Sequence, residues 1–151
     1  MTNEEIKQSV SAIFPAVTYD ETGEFLTILV EPAEFRSLMK ALRSNAEFKF
    51  DFMFCLTCID WKTHFMMVYH LLSRTHRHNI VVKSKLSDIK NPEIDTVCDI
   101  WETANFHERE VYDLFGVKFK NHPDMRRLLL DEDWDGHPLR KNYVDENMIS
   151  L

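Results

Sequence analysis

The clearest indication of the fold comes from residues 48–86, FKFDFMFCLTCIDWKTHFMMVYHLLSRTHRHNIVVKSKL. It contains three runs rich in aromatic and β-branched residues, at 48–61, 64–75 and 78–86. Runs of this composition predict β-strands, and the short polar breaks between them suit strands that reverse direction. The stretch therefore predicts an antiparallel meander at the centre of the fold.

Upstream of the meander, the sequence predicts two helices separated by a hairpin. Residues 2–14 repeat apolar side chains at helical spacing behind Thr2 or Asn3, either of which suits a helix N-cap. Residues 16–31 form two apolar, β-branched runs around the turn ETG, which is typical of a hairpin. Residues 32–44 begin with proline and have apolar residues three and four positions apart, which predicts the second helix.

Downstream of the meander, helical periodicity returns at Ile94 and continues to Phe115, where Gly116 is placed to end a helix. The residues that follow are interrupted by proline and glycine and cannot form one helix or one strand. This order predicts an α+β fold, a mostly antiparallel sheet of about five strands with helices packed on one face. We expect an α+β domain over 1–116 and an extended, irregular C-terminal docking segment over 117–151.

The composition excludes several classes of protein. The chain has 151 residues, a formal net charge of −7 and no dense cluster of basic residues, so nucleic acid is not an expected partner. It has no apolar run of about 18 residues, and its N-terminus is polar and acidic where a signal peptide would be basic and then apolar. Its three cysteines therefore favour a reducing compartment, and the cytoplasm is expected.

Cys55 and Cys58 have the CxxC spacing of a redox disulfide or of half a zinc site. In a strand, residues three apart point to opposite faces with Cα atoms about 10 Å apart, which is too far for a disulfide. Cys98 has no second cysteine near it in the sequence, so buried free thiols are the favoured interpretation. An independent thiol or metal protein that uses Cys55 and Cys58 is the competing hypothesis from a different class.

The histidines give a weak indication of a metal site. His107 and Glu110 lie one helical turn apart, which is chelating geometry, and His122 and His137 could complete a ligand set. Both of these histidines precede proline in an irregular segment, which disfavours a rigid site. The sequence also lacks a nucleophile elbow, a GxGxxG loop and a P-loop. We therefore expect no catalytic residue, metal ligand or cofactor-binding residue in this chain.

The final third of the chain holds the least usual residues. Glu108 falls on the apolar face of the predicted last helix, where an unpaired carboxylate costs several kcal/mol. Arg126, Arg127 and Arg140 are candidate partners, because a guanidinium binds a carboxylate through two hydrogen bonds. The alternative is that the helical phase differs and Glu108 faces solvent. The segment also carries aromatic and leucine side chains that the domain or a partner protein must cover.

Five short motifs occur in this region in one order, without a gap through Leu129, and cover about 35 residues that include a helix end. They are Glu108-Arg109-Glu110, Tyr112-Asp113-Leu114-Phe115-Gly116, His122-Pro123-Asp124, Arg126-Arg127-Leu128-Leu129 and Gly136-His137-Pro138-Leu139-Arg140-Lys141. Together they resemble the signature of the 30 kDa subunit family of respiratory complex I, whose bacterial members are the C subunits of NADH-quinone oxidoreductase.

The resemblance implies an accessory, non-redox subunit of the peripheral arm of a proton-translocating NADH:quinone oxidoreductase. Members of the family lie beside the quinone-reducing D subunit and near the iron-sulfur B and I subunits, on the cytoplasmic side of the cell membrane. FMN and the iron-sulfur clusters belong to partner subunits, and this chain is expected to bind no cofactor. Interface or anchoring roles are implied for Glu108, Arg109, Asp113, His122, Arg126, Arg127, Trp134, Arg140 and Lys141.

Two points stay open at this stage. The sequence ends soon after the motifs, whereas some relatives continue into the D subunit, so the D subunit is expected to be a separate chain here. The same module also occurs in membrane-bound hydrogenases and related ion-pumping complexes. Within complex I, Glu108 and Asp113 are expected to orient the arginines of the docking segment.

Overall fold

The central sheet has five strands. The computed structural model describes residues 1–149, and within them these strands are β1 (Thr18–Asp20), β2 (Leu26–Leu29), β3 (Phe52–Asp60), β4 (Phe65–Ser73) and β5 (His78–Leu86). Their order in the sheet is β1-β2-β5-β4-β3. The last three form the antiparallel meander, and β1 pairs with β2 as a hairpin, which confirms both predictions. Within this five-stranded sheet, the β2–β5 pair is parallel and the other pairs are antiparallel.

Three helices complete the α+β fold: α1 (Asn3–Ile13), α2 (Pro32–Ser44) and α3 (Ala104–Phe115). Thr2 caps α1 through a reciprocal pair of hydrogen bonds with Glu5, which satisfies two of the free N–H groups at the helix start. Proline stands in the first turn of α2, where its missing N–H costs nothing. None of these helices, within residues 1–149, combines the length and apolar character needed to cross a lipid bilayer.

One apolar core joins the helices to the sheet. The buried faces of α1 and α2 contribute residues such as Ile6, Phe35 and Leu38, and alternate residues of the strands, such as Met67 and Tyr69, point toward them. Because side chains alternate across a strand, the meander buries one set and leaves the other to the opposite face of the sheet.

The region from Ile94 to Trp101 is not the start of the last helix, and this part of the prediction was wrong. Residues Glu93–Asp95 form the short strand β6, which pairs in parallel with β7 (Lys118–Lys120), and α3 begins only at Ala104. Two apolar residues at helical spacing, Ile94 and Val97, produced the misleading pattern. Each strand carries charge, apolar residue and charge in sequence, with acidic residues on one and basic residues on the other, and this alternation is a signal that sequence reasoning missed.

After β7 the chain continues without regular secondary structure from 121 to 149, and we call these residues the strap. The docking segment expected from the sequence, 117–151, thus contains β7 and the strap, while Ser150 and Leu151 lie outside the described residues. The strap packs against α3, so the last helix and the strap together form the region to which the sequence points.

Candidate docking site

The carboxylate of Asp113 organises the strap. This residue lies on α3 and is completely buried. Its Oδ2 accepts hydrogen bonds from the backbone N–H groups of Leu128, Leu129 and Leu130, at 3.2, 2.7 and 3.0 Å. Burial raises the pKa of Asp113, but hydrogen bonds from Arg127 and from these backbone donors outweigh burial and hold the pKa below its ordinary value. Asp113 is therefore a charged anchor point for the strap.

Arg127 joins α3 to two further points of the strap. Its Nη1 donates to Oδ1 of Asp113 at 2.8 Å and to the backbone oxygen of Asp113 at 3.0 Å. Its Nη2 donates to the backbone oxygens of Trp134 and Gly136, both at 2.9 Å. A planar guanidinium can satisfy several acceptors at once, which a lysine cannot do with the same geometry. Arg127 thus folds the strap back onto its own helix.

Arg109 supports the same turn from the preceding part of α3. It is 8% exposed, and its Nε and Nη2 donate to the backbone oxygens of Arg126 and Arg127 at 3.2 and 3.0 Å. Its guanidinium also lies 5.8 Å from the ring centroid of Phe106, within the range of a cation–π contact. Arg109 and Arg127 therefore hold the same turn of the strap. Of the arginines that Asp113 was expected to orient, the one it contacts is Arg127.

The end of α3 is closed by groups from the strap. Gly116 adopts a left-handed conformation, with φ of +77°, and its N–H donates to the backbone oxygen of Tyr112. His137 Nδ1 lies 2.9 Å from the backbone oxygen of Asp113, and Arg140 donates through Nε to the backbone oxygen of Phe115. These carbonyls have no partner within the helix, so the strap supplies a C-terminal cap.

Replacing Gly116 with alanine is expected to lower the free energy of unfolding by about 2 kcal/mol. The left-handed conformation is unfavourable for alanine, and an added Cβ would lie 2.6 Å from His137 Cδ2 and 2.7 Å from Arg140 Nη2. Urea denaturation measures the effect. Gly23→Ala is the control, because a Cβ there would meet nothing within 4 Å, and equal losses for both variants would contradict this account.

Glu108 is completely buried, which excludes the solvent-facing alternative, but its hydrogen-bond partners are not the candidates Arg126, Arg127 and Arg140. Its Oε1 accepts from the N–H of Val97 at 2.8 Å, and its Oε2 accepts from the hydroxyl of Thr96. Burial raises the pKa of Glu108 to about 7, because these two hydrogen bonds only partly offset the desolvation of its charged form. Glu108 therefore joins α3 to the turn after β6 and does not orient the strap arginines.

His122 lies beside Glu108, in a group of possible metal ligands that does not include His107 or Glu110, the pair with chelating spacing in the sequence. Ligand atoms of Cys98, Glu108 and His122 lie within 4.8 Å of one another. His122 Nδ1 accepts from the N–H of Asp124 at 3.0 Å, so in the neutral ring Nε2 carries the proton and faces the backbone oxygen of Asn105 at 3.3 Å. The histidine is thus held as a hydrogen-bonding group, and we assign no metal to the cluster.

The CxxC pair lies on β3, with free cysteines on opposite faces of the strand. Cys58 is buried, whereas Cys55 is half-buried. Burial raises the pKa of the Cys58 thiol to about 12, and Asp60 adds to this effect. A thiol with this pKa is neutral at physiological pH and is a poor nucleophile, which argues against a thiol-based activity.

The remaining residues expected from the sequence lie nearer the surface. Arg126 pairs with Asp124 at 3.0 Å, with both side chains about half exposed. The backbone N–H of Lys141 donates to Oδ2 of Asp60 on β3 at 2.9 Å. Trp134 is 39% exposed, and its backbone oxygen contacts Arg127. Thr96 and Asp60 are the functional partners that sequence reasoning missed, because each lies far along the chain from the residue it contacts.

This chain combines an α+β domain with an irregular strap that is bound to the last helix. The same combination occurs in a subunit of a solved membrane complex. One chain in the structure of the membrane-bound sulfane sulfur reductase, an archaeal respiratory membrane complex, is similar to this chain with a TM-score of 0.80 and 26% sequence identity. The similarity covers 93% of this chain and 85% of that chain. The match therefore includes the strap as well as the domain.

Comparison with known sequences narrows the class to one family. The model of the family described as respiratory-chain NADH dehydrogenase, 30 kDa subunit, matches residues 28–147, and the chain belongs to this family. The C subunit of NADH-quinone oxidoreductase from Roseiflexus castenholzii is 39% identical over 120 residues, which cover 78% of this chain and 68% of that protein. The C/D protein of the same enzyme from Phocaeicola vulgatus is 50% identical over 102 residues, 67% of this chain and 20% of that protein.

Proposed function

We propose that this chain is an accessory subunit of a proton-translocating NADH:quinone oxidoreductase and acts as a scaffold for the quinone-reducing module. Family membership supports this function, and the curated relatives at about 40% identity are named as the C subunit of NADH-quinone oxidoreductase. In this proposal the chain has no active site of its own. It binds no cofactor, and FMN and the iron-sulfur clusters are held by partner subunits.

The observation that carries the proposal is a strap that is held to α3 by a buried network while several of its large apolar side chains lie at the surface. Asp113 and Arg127 form a buried network that fixes the backbone of the strap. The same strap leaves Leu129 64% and Leu139 52% exposed, and Phe106 on α3 is 62% exposed. Large apolar side chains held in place at a surface are typical of an interface that a partner covers. We therefore propose that the segment 117–151 docks the subunit into its complex.

The quinone-reducing D subunit is the proposed main partner, with the iron-sulfur B and I subunits nearby. Relatives from Phocaeicola vulgatus and Bacteroides fragilis are single proteins whose names combine the C and D subunits, and this chain matches 20% and 23% of them. A module joined to the D subunit in one chain must lie close to it, and two chains that replace the fused protein need a non-covalent interface instead. Association with such a complex would make the chain a peripheral protein on the cytoplasmic side of the membrane.

The proposal is tested by affinity purification of the tagged chain from gently solubilised native membranes, with identification of the proteins recovered. Recovery of quinone-reducing and iron-sulfur subunits together with NADH-oxidising subunits is expected. Recovery of the chain alone from the soluble fraction would contradict the proposal.

Replacing Leu129 with aspartate is expected to reduce recovery of the partner subunits at least tenfold, because a charge would be buried in the apolar interface. Ile13→Asp is the matched control, since Ile13 is 49% exposed and lies on α1, outside both α3 and the strap. Quantitative mass spectrometry of the purified material compares the two variants. Equal recovery with both would show that the outer face of the strap is not the interface.

A second candidate function is the equivalent subunit of a related membrane complex with another electron donor. The similarity to a chain of the membrane-bound sulfane sulfur reductase over 93% of this chain favours it. Membrane-bound hydrogenases are included in this candidate. The same purification distinguishes the two functions, because a nickel hydrogenase subunit or a sulfur reductase subunit would replace the NADH-oxidising subunits.

A further inference from the structure

A cavity lies where the strap crosses the end of the meander. Its volume is about 270 Å³, and its lining includes Asp60 at the end of β3, Lys62 after that strand, Phe65 on β4, Ile89, and Arg140 and Lys141 of the strap. The cavity is therefore built jointly by the sheet and the strap. Its walls combine three cationic residues with two apolar ones, although the whole chain has a net charge of −7.

Arg140 is the half-buried cation of the cavity. Its Nε donates to the backbone oxygen of Phe115, and its guanidinium lies 5.4 Å from the ring centroid of Phe65. Within residues 1–149, neither Nη atom donates a hydrogen bond and no carboxylate oxygen lies within 4.0 Å of the guanidinium. Burial lowers the pKa of Arg140, which reflects the cost of holding this charge away from water. An anion in the cavity would remove that cost.

Among the described residues that line the cavity, Asp60 is the single acidic one, and each of its carboxylate oxygens accepts a backbone hydrogen bond. Oδ1 accepts from the backbone N–H of Lys62 at 2.7 Å, and Oδ2 accepts from the backbone N–H of Lys141 at 2.9 Å. These bonds position both lysines at the cavity and use the carboxylate as a structural group. Asp60 offsets one of the three positive charges, and a net positive charge remains.

We propose that this cavity receives an acidic side chain of a neighbouring subunit, with an apolar residue beside it. This inference rests on the proposed function and specifies which groups bind each other where the neighbouring subunit contacts the cavity. The free Nη atoms of Arg140 can bind a carboxylate through two parallel hydrogen bonds, with Lys62 and Lys141 adding charge. Phe65 and Ile89 provide the apolar surface for the adjoining residue. The phosphate of a phospholipid headgroup shares this charge chemistry but is not the occupant proposed.

Carbodiimide coupling tests the inference on the intact complex recovered by affinity purification. This reagent joins a lysine amine to a carboxylate that it contacts, so Lys62 or Lys141 is expected to form an amide with an Asp or Glu residue of a partner subunit. Both lysines are also expected to resist acetylation in the complex and to react in the free chain, whereas Lys40, exposed on α2, reacts in both.

A double variant gives the functional measurement. Lys62→Gln with Lys141→Gln removes two charges whose side chains make no hydrogen bond within residues 1–149, so the domain itself is expected to stay folded. We expect at least a tenfold loss of co-purified partner, and little change for the control pair Lys40→Gln with Lys49→Gln. Thermal unfolding of each free variant confirms that folding is unaffected.

Three results would overturn the inference. One is coupling of Lys62 and Lys141 only to carboxylates of this same chain, and another is equal acetylation in the complex and in the free chain. The third is protection that disappears when phospholipid is removed from the complex, which would assign the cavity to a lipid headgroup. In each case the proposed function would stand if the partner subunits were recovered. Recovery of the chain alone would overturn both.

Discussion

The Asp113→Asn variant is expected to lose about 3–5 kcal/mol of unfolding free energy and to release the strap from α3. Asparagine has nearly the same shape, so the loss comes from charge and hydrogen bonding. In place of a carboxylate that accepts from Arg127 and from three backbone N–H groups, an amide would present one oxygen and a competing donor. The buried guanidinium of Arg127 would also lose its counter-charge.

Two measurements check this expectation. Urea denaturation gives the change in free energy, and brief digestion with trypsin reports the strap, because Arg126 and Arg127 become accessible to the protease when it is released. Asp124→Asn is the matched control, since Asp124 pairs with Arg126 at the surface and such pairs contribute about 1 kcal/mol or less. A strap that stays resistant to trypsin in Asp113→Asn would show that other contacts are sufficient to hold it.

The Glu108→Gln variant is expected to stabilise the protein by about 3 kcal/mol above neutral pH and to leave it unchanged in acid. The folded-state pKa of Glu108 is about 7, above the ordinary value of 4.5. The folded state therefore binds the proton more tightly than the unfolded state. The stability linked to this group is fully present below about pH 4.5 and is lost as the pH rises to about 7.

Glutamine fits this position without a charge. Its oxygen can accept from the N–H of Val97, and its amide nitrogen can donate to the hydroxyl oxygen of Thr96. Denaturation of both proteins from about pH 4.5 to about pH 8 measures the effect, and the difference between them should grow over that interval. A constant difference would show that Glu108 is not the group that titrates. Glu110→Gln is the control, because Glu110 is exposed on the same helix.

The parts of the fold that follow local patterns were predicted correctly. Thr2 and the apolar spacing behind it identify α1, and proline followed by helical periodicity identifies α2. The three aromatic runs identify the meander, because strands joined by short turns pair with their neighbours. The two strands that were missed, β6 and β7, pair across the whole of α3. Three alternating residues are too few to exclude a helical period, so the usable signal lay in the opposite charges of two segments that are far apart in the sequence.

In the candidate site, too, some features follow from local sequence patterns and others depend on contacts with distant parts of the chain. Motifs such as Tyr112–Gly116 identified the family from the sequence. Helical spacing favoured a buried position for Glu108 but left a solvent-facing phase open, and the structure shows that the residue is buried. The pairing of Arg127 with Asp113, and of Glu108 with Thr96 and Val97, came from the tertiary structure alone. Helical spacing gives the side of a helix but contains no information on which distant segment packs there. That choice depends on the three-dimensional course of the chain, which brings residues 127–130 of the strap to Asp113 and the turn after β6 to Glu108.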